Sequence, residues 1–362
     1  MFKSGRRAWL TAASRALLFL GALAFPCAGG ASEPHPGGGA DLQKGVISVF
    51  SQRRCAIVKV TAKKPSPDGA ARYETASGFF SSPGGHVLTS AFVAYGADEL
   101  WVESGGVLME AEALGLDPLT TMSVIRVKAG AIPKGAGFVD IDASAPLPET
   151  GSFVVSLSRE MGLPPSPRLG ILSGRDINFG DVFLPTVYAR TDIPAVSGSI
   201  GGAAFDLGGK FIGMTVASIP ATGGSFLLPA RAVARIRDDI LLSSEPVYGW
   251  FGLQAENSES GGSPCVTVRM VIENGPAALA GFLPGDVILE INSSRVADNT
   301  DLRNATFFIR PGETASFSVL RDGKPIVISM KVGRMDPEII KAAAAKLDSP
   351  QAPAGQEGGA GK

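Results

Sequence analysis

Short runs of alternating or wholly apolar residues follow one another from about residue 46 to residue 242, separated by turns rich in glycine, proline and aspartate. Alternation with a period of two is typical of strands that bury one face, and short apolar runs between turn residues are typical of strands buried on both faces. Helical periodicity is weak until residues 229–242, where a helix is predicted. The predicted strands are 56–61, 77–80, 86–89, 100–102, 123–127, 153–157, 169–173, 187–191, 202–205 and 211–217. The pattern predicts a mainly β domain of paired six-stranded barrels, because closure removes unpaired strand edges.

The pattern changes after a predicted hinge at residues 243–246. Residues 274–292 read NGPAALAGFLPGDVILEIN, which predicts a turn, a short helix and a strand, and residues 299–308 predict a second helix. A hairpin is predicted over residues 316–332, where Asp322-Gly323 is typical of a tight turn. Residues 247–334 therefore form a predicted mixed α+β domain. The last part, residues 335–362, predicts a short helix and a disordered tail whose composition cannot support a core.

The N-terminal residues 1–31 predict a secretory signal peptide, because a basic stretch precedes an apolar run and small residues suited to cleavage. The apolar run is shorter than the roughly 20 residues that a membrane span takes. The paired Arg6-Arg7 leaves twin-arginine export open beside the ordinary general-secretion signal that we favour. Residues 32–45 are predicted to be a flexible linker. The expected location is periplasmic or extracellular, with tethering by an uncleaved signal as the alternative.

Composition excludes several classes of function. The chain has 362 residues, of which 45% are hydrophobic, so it is globular and long enough for two or three domains. Removing residues 1–31 deletes four positive and no negative charges, which takes the formal charge from −1 to −5 and argues against a nucleic-acid partner. Cys55 and Cys265 lie in different predicted domains, so no disulfide is expected. Histidine, cysteine and carboxylate residues do not cluster at ligand spacing, so no metal or cofactor is predicted.

Three stretches, in this order, resemble the segments that carry the catalytic triad of HtrA/Deg-type serine proteases. Residues 77–100 read SGFFSSPGGHVLTSAFVAYGADEL and resemble the histidine segment. Residues 114–127 read LGLDPLTTMSVIRV and resemble the aspartate segment, and residues 197–205 read SGSIGGAAF and resemble the nucleophile loop GNSGGP. The resemblance extends over residues 46–242 and implies a chymotrypsin-like double β-barrel that is homologous to trypsin-like proteases.

Each triad position carries a different residue in this sequence. Phe92 occupies the histidine position, Thr121 the aspartate position and Ile200 the serine position. Nucleophilic catalysis needs an activatable nucleophile and a base to take its proton, and these side chains do not supply this pair. Gly198 and Ser199 are retained in what the resemblance implies is a vestigial oxyanion loop. We therefore expect no catalytic residues, and a former active site that apolar side chains fill.

Three other residues are candidates to replace the missing base or nucleophile. His86 precedes Phe92 by six residues, which in a strand is about 20 Å, so His86 is too far along the chain to replace the missing base. His35 lies in the predicted linker. Ser199 adjoins the nucleophile position but has no general base, so we interpret it as a turn residue. A serine-type endopeptidase with residual or unorthodox activity remains the alternative.

The C-terminal domain resembles a PDZ domain, in which backbone amides hold a peptide carboxylate while the peptide adds a strand to the sheet. The string PGDVILEIN at residues 284–292 is highly characteristic of this family. The resemblance implies that the peptide-binding residues are Trp250, Phe251, Gly252, Leu253, Leu302 and Ala305. Packing between domains is the alternative role for this apolar cluster.

The resemblance also predicts partners and a function. The expected partners are peptide or protein C-termini with an apolar last residue and an active protease of the HtrA type, and family members often form homotrimers. The predicted function is that of an exported, catalytically inactive HtrA-like homologue, which acts as a scaffold, regulator or chaperone in protein quality control.

Overall fold

Two closed six-stranded antiparallel barrels form the first part of the molecule. The computed structural model describes residues 38–66, 69–179, 182–219, 222–260, 262–345 and 347. The predicted signal peptide and the C-terminal tail lie outside these described residues. The first barrel, in the strand order β1-β2-β3-β6-β5-β4, contains β1 (Ile57–Pro65), β2 (Ala71–Phe80), β3 (His86–Ser90), β4 (Glu99–Ser104), β5 (Val107–Asp117) and β6 (Met122–Val127).

The second barrel has the strand order β10-β11-β12-β9-β8-β7. Its strands are β7 (Phe153–Ser158), β8 (Ser166–Phe179), β9 (Val182–Thr191), β10 (Ala203–Phe205), β11 (Phe211–Ile219) and β12 (Gly224–Pro229). Each predicted strand lies within or overlaps one of these strands. The alternating pattern missed β5 and β12, although both are needed to close their barrels.

The largest hydrophobic core lies between the two barrels. Phe79 from the first barrel packs on Phe211 from the second, with ring centroids 5.3 Å apart. Leu88 and Met214, one from each barrel, are fully buried in the same core. Burying a side chain of this size stabilises the fold by about 1.5–3 kcal/mol. The core therefore fixes the relative position of the barrels, and the loops at their junction inherit that position.

The segment before the first barrel is helical, so the prediction of a flexible linker is wrong from residue 38 onward. Helix α1 spans Gly38–Arg53 and buries Val49, while Phe50 packs against the edge of the central core. The glycines and prolines at the start of this segment concealed a run of good helix formers after residue 39. Apolar residues at 46, 49 and 50 have the spacing of one helix face, and contact with the second barrel stabilises that face.

The C-terminal domain contains a six-stranded sheet and two helices. The strands of this sheet are β14 (Leu253–Ser260), β15 (Ser263–Val271), β16 (Val287–Ile291), β17 (Ser294–Arg295), β18 (Thr314–Arg321) and β19 (Lys324–Lys331). Two further strands, β13 (Gly249–Trp250) and β20 (Gly333–Arg334), pair with each other in a separate two-stranded sheet. Its helices are α4 (Pro276–Ala280) and α5 (Asn299–Phe307). The barrel region contains α2 (Ala91–Ala94) and is followed by α3 (Ala230–Ser243), and α6 (Pro337–Ala345) comes after the C-terminal domain. The predicted helices and hairpin of this domain are thus present.

Helix α3 connects the barrels to the C-terminal domain. Its apolar face packs on the central core, whereas Arg235 on its other side is buried. The Arg235 guanidinium lies 4.4 Å from the ring centroid of Phe307 and donates a 2.6 Å hydrogen bond to the Val247 carbonyl. Asp239, also buried, accepts hydrogen bonds of 2.9 and 2.7 Å from Arg310. These contacts dock the C-terminal domain on the helix through charge and aromatic packing together.

A second contact between the domains uses the buried carboxylate of Asp117, at the end of β5. Tyr248, which precedes the C-terminal sheet, donates a 2.5 Å hydrogen bond to this carboxylate. Asp117 also accepts from the amides of Leu119 and Thr120, at 3.1 and 3.2 Å, and from the Thr120 hydroxyl. Burial raises the pKa of Asp117, against the lowering effect of the hydrogen bonds that it accepts.

This raised pKa predicts a pH-dependent loss of stability. In the folded state Asp117 holds its proton to a higher pH than in the unfolded chain, where an aspartate titrates near pH 3.9, so the free energy of unfolding falls as pH rises from that value toward the folded pKa. We expect Asp117→Asn to remove this contribution to the pH dependence. Urea unfolding between about pH 4 and about pH 7 measures it. Asp140→Asn, which removes an exposed carboxylate, is the control, and identical pH slopes for all three proteins would contradict the prediction.

Candidate functional site

The three predicted triad positions lie in neighbouring segments where the barrels meet. The amide of Ala91, beside Phe92, donates a 2.8 Å hydrogen bond to the Thr121 carbonyl. The Ile200 carbonyl accepts a 3.0 Å hydrogen bond from the amide of Ser77, on β2 of the first barrel. The Thr121 hydroxyl points to the second barrel, where the Val216 carbonyl lies 3.5 Å away. The tertiary structure therefore places these segments at one junction, as the resemblance implied.

The side chains at these positions are half-buried and do not form a proton relay. Phe92 and Ile200 have no side-chain nitrogen, oxygen or sulfur, and the one hydroxyl of the group, on Thr121, faces a backbone carbonyl. The Phe92 carbonyl accepts a 2.5 Å hydrogen bond from Lys64, which is itself buried and paired with Glu74 at 2.7 Å. The positions lack both a nucleophile and a base held beside it.

Thr121 has an unusual backbone conformation. Its φ of 58° lies in the left-handed region, which is a genuine outlier for a β-branched residue. A left-handed residue costs roughly 1–2 kcal/mol, and the hydrogen bond from Ala91 helps to hold it there. Aspartate tolerates this conformation better than threonine, because its short side chain can hydrogen-bond locally. Position 121 therefore has a left-handed backbone conformation, although it carries threonine and not the aspartate that tolerates this conformation better.

Ser199 is a turn residue in the structure. Its side chain is 5% exposed, and its hydroxyl donates to the Val196 carbonyl at 2.8 Å while it accepts from the Val196 amide at 2.9 Å. Both local bonds fix the hydroxyl inside its own turn. This placement agrees with the interpretation of Ser199 as turn chemistry.

Ser77 holds the backbone of the nucleophile loop through hydrogen bonds of its hydroxyl. The Ser77 hydroxyl donates to the Gly198 carbonyl at 2.6 Å and accepts from the Arg159 amide at 2.7 Å. Gly201 has a φ of 88°, and a side chain there would collide with the Ser77 carbonyl. The amides of Gly198 and Ile200 have no hydrogen-bond acceptor among the described residues. Backbone amides without an internal acceptor are the kind of donor that an oxyanion site uses.

A serine and a histidine that the sequence interpretation did not pair lie together on the β2–β3 hairpin. Ser82 Oγ is 2.8 Å from His86 Nδ1. Burial and, secondarily, the charge of Arg126 lower the pKa of His86, so its neutral form is favoured. Arg126 is paired with Glu112, and no carboxylate of the described residues orients the His86 ring. The pair lies at the end of β3 opposite to Ser90 and Phe92, away from the nucleophile loop.

The second candidate site is a groove in the C-terminal domain. Among the described strands, β14 pairs only with β15, so its other edge is open. Helix α5 lies beside that edge, fixed by a 2.7 Å hydrogen bond from the Asn299 amide to Asn257. A cavity of about 730 Å³ occupies the space and is lined by Trp250, Phe251, Gly252, Leu253, Gln254, Ala255, Asn299, Leu302, Arg303, Thr306, Phe307 and Phe317. An open strand edge beside a helix is the geometry for adding a peptide strand.

The loop before β14 can receive an anion. Gly252 has a φ of 71°, and a side chain there would lie 2.9 Å from Pro276, so the loop requires glycine. The amides of Phe251 and Gly252 have no acceptor among the described residues, while their carbonyls accept from Ala277 and Ile272. The loop is thus anchored through its carbonyls and keeps its donors available.

Five of the six predicted peptide-binding residues line the cavity, and Ala305 does not. Ala305 packs against the core of its own domain, as Leu302 also does, but it lies outside the face of α5 whose residues line the cavity. The sequence interpretation missed Asn299, Arg303 and Thr306, which line the cavity. Together with Leu302 they have the i, i+3, i+4, i+7 spacing of one helix face, which was the available signal.

The barrels contribute the far wall of the same cavity. Leu119, Ile177 and Pro185 line it from the first and second barrels, and Ile339 lines it from α6. The cavity therefore lies between the domains, and the alternative of domain packing holds for part of this apolar surface. Clusters of metal-ligating residues are absent from the described part of the chain. None of the described helices is long and apolar enough to cross a membrane.

Comparisons with known proteins agree with the two domains of the chain. Residues 76–214 match the trypsin-like peptidase domain, and residues 249–332 match the PDZ domain. A probable periplasmic serine endoprotease DegP-like of Ectopseudomonas mendocina (strain ymp) is 30% identical over 283 residues, which are 74% of this chain and 58% of that protein. The corresponding protein of Bartonella henselae is 30% identical over 275 residues, 72% of this chain and 53% of that one. The chain thus spans just over half the length of these curated relatives.

Solved structures give the same assignment. The HtrA-type protease AlgW with tripeptide is 25% identical with a TM-score of 0.67, and the match covers 81% of this chain and 98% of that one. The serine endoprotease from Yersinia pestis is 24% identical with a TM-score of 0.57. That match covers 80% of this chain and 98% of the other chain, and it supports the fold. The chain is a homologue of the HtrA/DegP-type proteases, with a trypsin-like peptidase domain followed by a PDZ domain.

Proposed function

We propose that this protein is an exported, catalytically inactive HtrA-like homologue that binds peptide or protein C-termini through its PDZ domain. In this role it acts as a scaffold, regulator or chaperone in protein quality control. The observation that carries the proposal is a contrast between the two sites: the peptidase junction lacks a nucleophile and base at the triad positions, whereas the PDZ groove has its open strand edge and its free loop amides.

The arrangement of the peptidase junction supports inactivity. Ile200 and Phe92 cannot take part in proton transfer, and the adjacent Ser199 uses its hydroxyl within its own turn. Removing any triad member leaves only the residual contribution of the oxyanion loop and of binding. Intact loop amides without a nucleophile therefore do not make a protease.

Peptide binding is supported by the chemistry of the groove and by a relative. The free amides of Phe251 and Gly252 suit a terminal carboxylate, and Leu302 and Phe317 offer an apolar lining for the last side chain. The HtrA-type protease AlgW was solved with a tripeptide, and its match extends over most of this chain. We extend peptide binding to this protein, with an apolar C-terminal residue as the expected ligand feature.

The remaining parts of the proposal concern partners and location. An active HtrA-type protease is the proposed protein partner, with a homotrimer as the proposed assembly. The curated relatives are named periplasmic, which supports export, and tethering by an uncleaved signal is the second form of that proposal. A regulator with a complete peptide groove could deliver bound chains to an active partner without cutting them.

A serine-type endopeptidase with unorthodox activity is the second candidate function. Its relatives are named endoproteases, and Ser82 with His86 forms a hydroxyl–imidazole contact of 2.8 Å in the described part of the chain. The amides of Gly198 and Ile200, which have no acceptor in the described part of the chain, lie toward the other end of β3 from that pair. This separation is the reason that we favour the inactive form.

We expect the purified mature protein to leave an unfolded substrate such as casein uncleaved, at the rate of buffer alone. A serine-reactive phosphonate probe should leave the protein unlabelled, because no hydroxyl at the junction has a base. The controls are Ser199→Ala and Ser82→Ala, which should behave like the native protein. Labelling that disappears in either variant would identify the acting serine and reject inactivity.

We expect a peptide with an apolar last residue and a free carboxylate to bind at least about tenfold more tightly than the same peptide with an amidated terminus, since a charged acceptor strengthens hydrogen bonds from the loop amides. Fluorescence anisotropy with labelled peptides measures this difference. Gly252→Ala should also weaken binding, because its side chain displaces the loop. The matched control is Gly323→Ala, which has a similar φ of 75° but open space around it, in the β18–β19 turn. Equal binding of both peptide forms would reject the carboxylate site.

A further inference from the structure

We propose that the free edge of β19, together with the groove between this strand and α4, binds an extended, acidic segment of a partner protein. The segment adds to the sheet as a further strand and sets a carboxylate opposite Lys331. This surface lies at the other edge of the sheet from the peptide groove beside β14, so the inference does not depend on the proposed function.

Strand β19 is an edge strand with a regular backbone. It ends the sheet order β14-β15-β16-β18-β19, and among the described strands it pairs only with β18. Its eight residues pair in one continuous register, whereas the pairings of β14 with β15 and of β16 with β18 each contain a register shift. An edge strand without a bulge exposes a row of unpaired amides and carbonyls that another strand can bond. Pro325 lacks an amide hydrogen, so we place the pairing segment at residues 326–331.

A groove runs beside this edge, and we call it the β19 groove. It is a cavity of about 590 Å³ between α4 and the end of β19, and its lining includes Trp250, Leu279, Ser329 and Lys331. The Leu279 side chain, on α4, is 80% exposed. On the strand, Val327 is 71% exposed and shares the outward face of Ser329 and Lys331, because alternate residues of a strand point to the same side. Large exposed apolar side chains beside an open edge suit the docking of another strand.

Two glycines allow the indole of Trp250 to form a wall of the β19 groove. A Cβ atom on Gly275 or on Gly333 would lie 3.3 Å from this ring. On Gly333 it would also lie 3.0 Å from Pro276, which lines the groove too. The wall is therefore closely packed before any partner binds, and a preorganised surface lowers the entropy cost of binding.

The charge of the β19 groove favours an acidic occupant. Of the described residues that line it, the charged ones are Lys331 and Arg334, and both are cationic. Arg334 is paired with Glu245 at 2.8 Å, whereas Lys331 has no hydrogen-bond or ion-pair partner in the described part of the chain. An aspartate or glutamate opposite Lys331 on an added strand would form a cross-strand ion pair, which stabilises strand pairing.

A second copy of this chain fits the same edge less well. Lys324 and Lys331 lie at the two ends of β19. In a two-fold antiparallel pair of β19 strands in full register, Lys324 of each copy would lie opposite Lys331 of the other, and like charges directly opposite each other are destabilising. Lysine on an edge strand also protects natural sheets against such self-pairing. A partner strand that carries carboxylates replaces this repulsion with attraction.

The test uses the full mature chain and three peptides with fluorescein at the N-terminus and an amide at the C-terminus. The first has the sequence Glu-Thr-Val-Thr-Val-Thr-Glu, and the others replace both glutamates by glutamine or by lysine. Each peptide reads the same in both directions and has a valine four residues from either end residue, which matches the spacing of Val327 and Lys331. Fluorescence anisotropy should show the glutamate peptide binding about threefold more tightly than the glutamine peptide, with the lysine peptide weakest.

Variants of the protein locate the site. Lys331→Gln should remove the preference for glutamate, and Lys331→Glu should reverse it in favour of lysine. Lys128→Gln removes the same charge from an exposed position outside the β19 groove, so the preference should persist in it. Leu279→Ala should weaken binding of all three peptides about threefold, whereas Leu283→Ala, which shortens an exposed leucine outside the groove, should not. Thermal unfolding of each variant confirms that it is folded.

Hydrogen exchange separates this site from the peptide groove. Binding of the glutamate peptide should protect amides of β19 and leave those of β14 unchanged. Protection of β14, or displacement by a peptide with a free apolar C-terminus, would overturn the inference. Equal binding of the three peptides, or a glutamate preference that survives Lys331→Gln, would also overturn it. Binding of none of the three would overturn it and leave the proposed function standing, because these peptides lack the free carboxylate on which that function is tested.

Discussion

The buried carboxylate of Asp117 connects the parts of this molecule on which both sites depend. It caps the turn after β5 through the amides of Leu119 and Thr120, and this turn places Thr121 at the former catalytic junction. It also accepts the hydroxyl of Tyr248, which leads into the PDZ domain. A buried carboxylate destabilises the fold unless such donors surround it. The turn after β5 and the contact with Tyr248 therefore stabilise each other through the Asp117 carboxylate. This bond and the contacts of α3 together hold the PDZ domain against the barrels.

The peptidase junction shows that the shape of a catalytic loop can be kept by groups other than the catalytic side chains. The loop around Ile200 is held by the Ser77 amide and hydroxyl and by the positive φ values of Gly198 and Gly201. None of these contacts uses the side chain at position 200. Thr121 carries a cost in conformational free energy, because a β-branched residue there has a left-handed backbone.

The peptide groove combines contributions from distant parts of the chain. The loop before β14 contributes amides that have no acceptor among the described residues, α5 lines one side, and the barrels form the opposite wall through Leu119 and Pro185. A ligand in this groove would touch both domains. Binding and the docking of the domains therefore involve the same surface, while the peptidase junction contributes a rigid scaffold to which α3 holds the PDZ domain.

Local patterns in the sequence determined most of the secondary structure and the two-domain order, and they pointed to five residues that line the cavity of the C-terminal domain. They did so because periodicity, turn residues and the loss of a nucleophile are properties of short segments. Local patterns failed where tertiary contacts determine the structure. Helix α1 forms because the second barrel covers its apolar face, and Ala305 packs against the core of its domain and does not line the cavity. The Ser82–His86 pair and the Asp117–Tyr248 bond emerged only in three dimensions. The latter joins residues 131 positions apart, and packing of the whole chain alone brings such groups within hydrogen-bond distance.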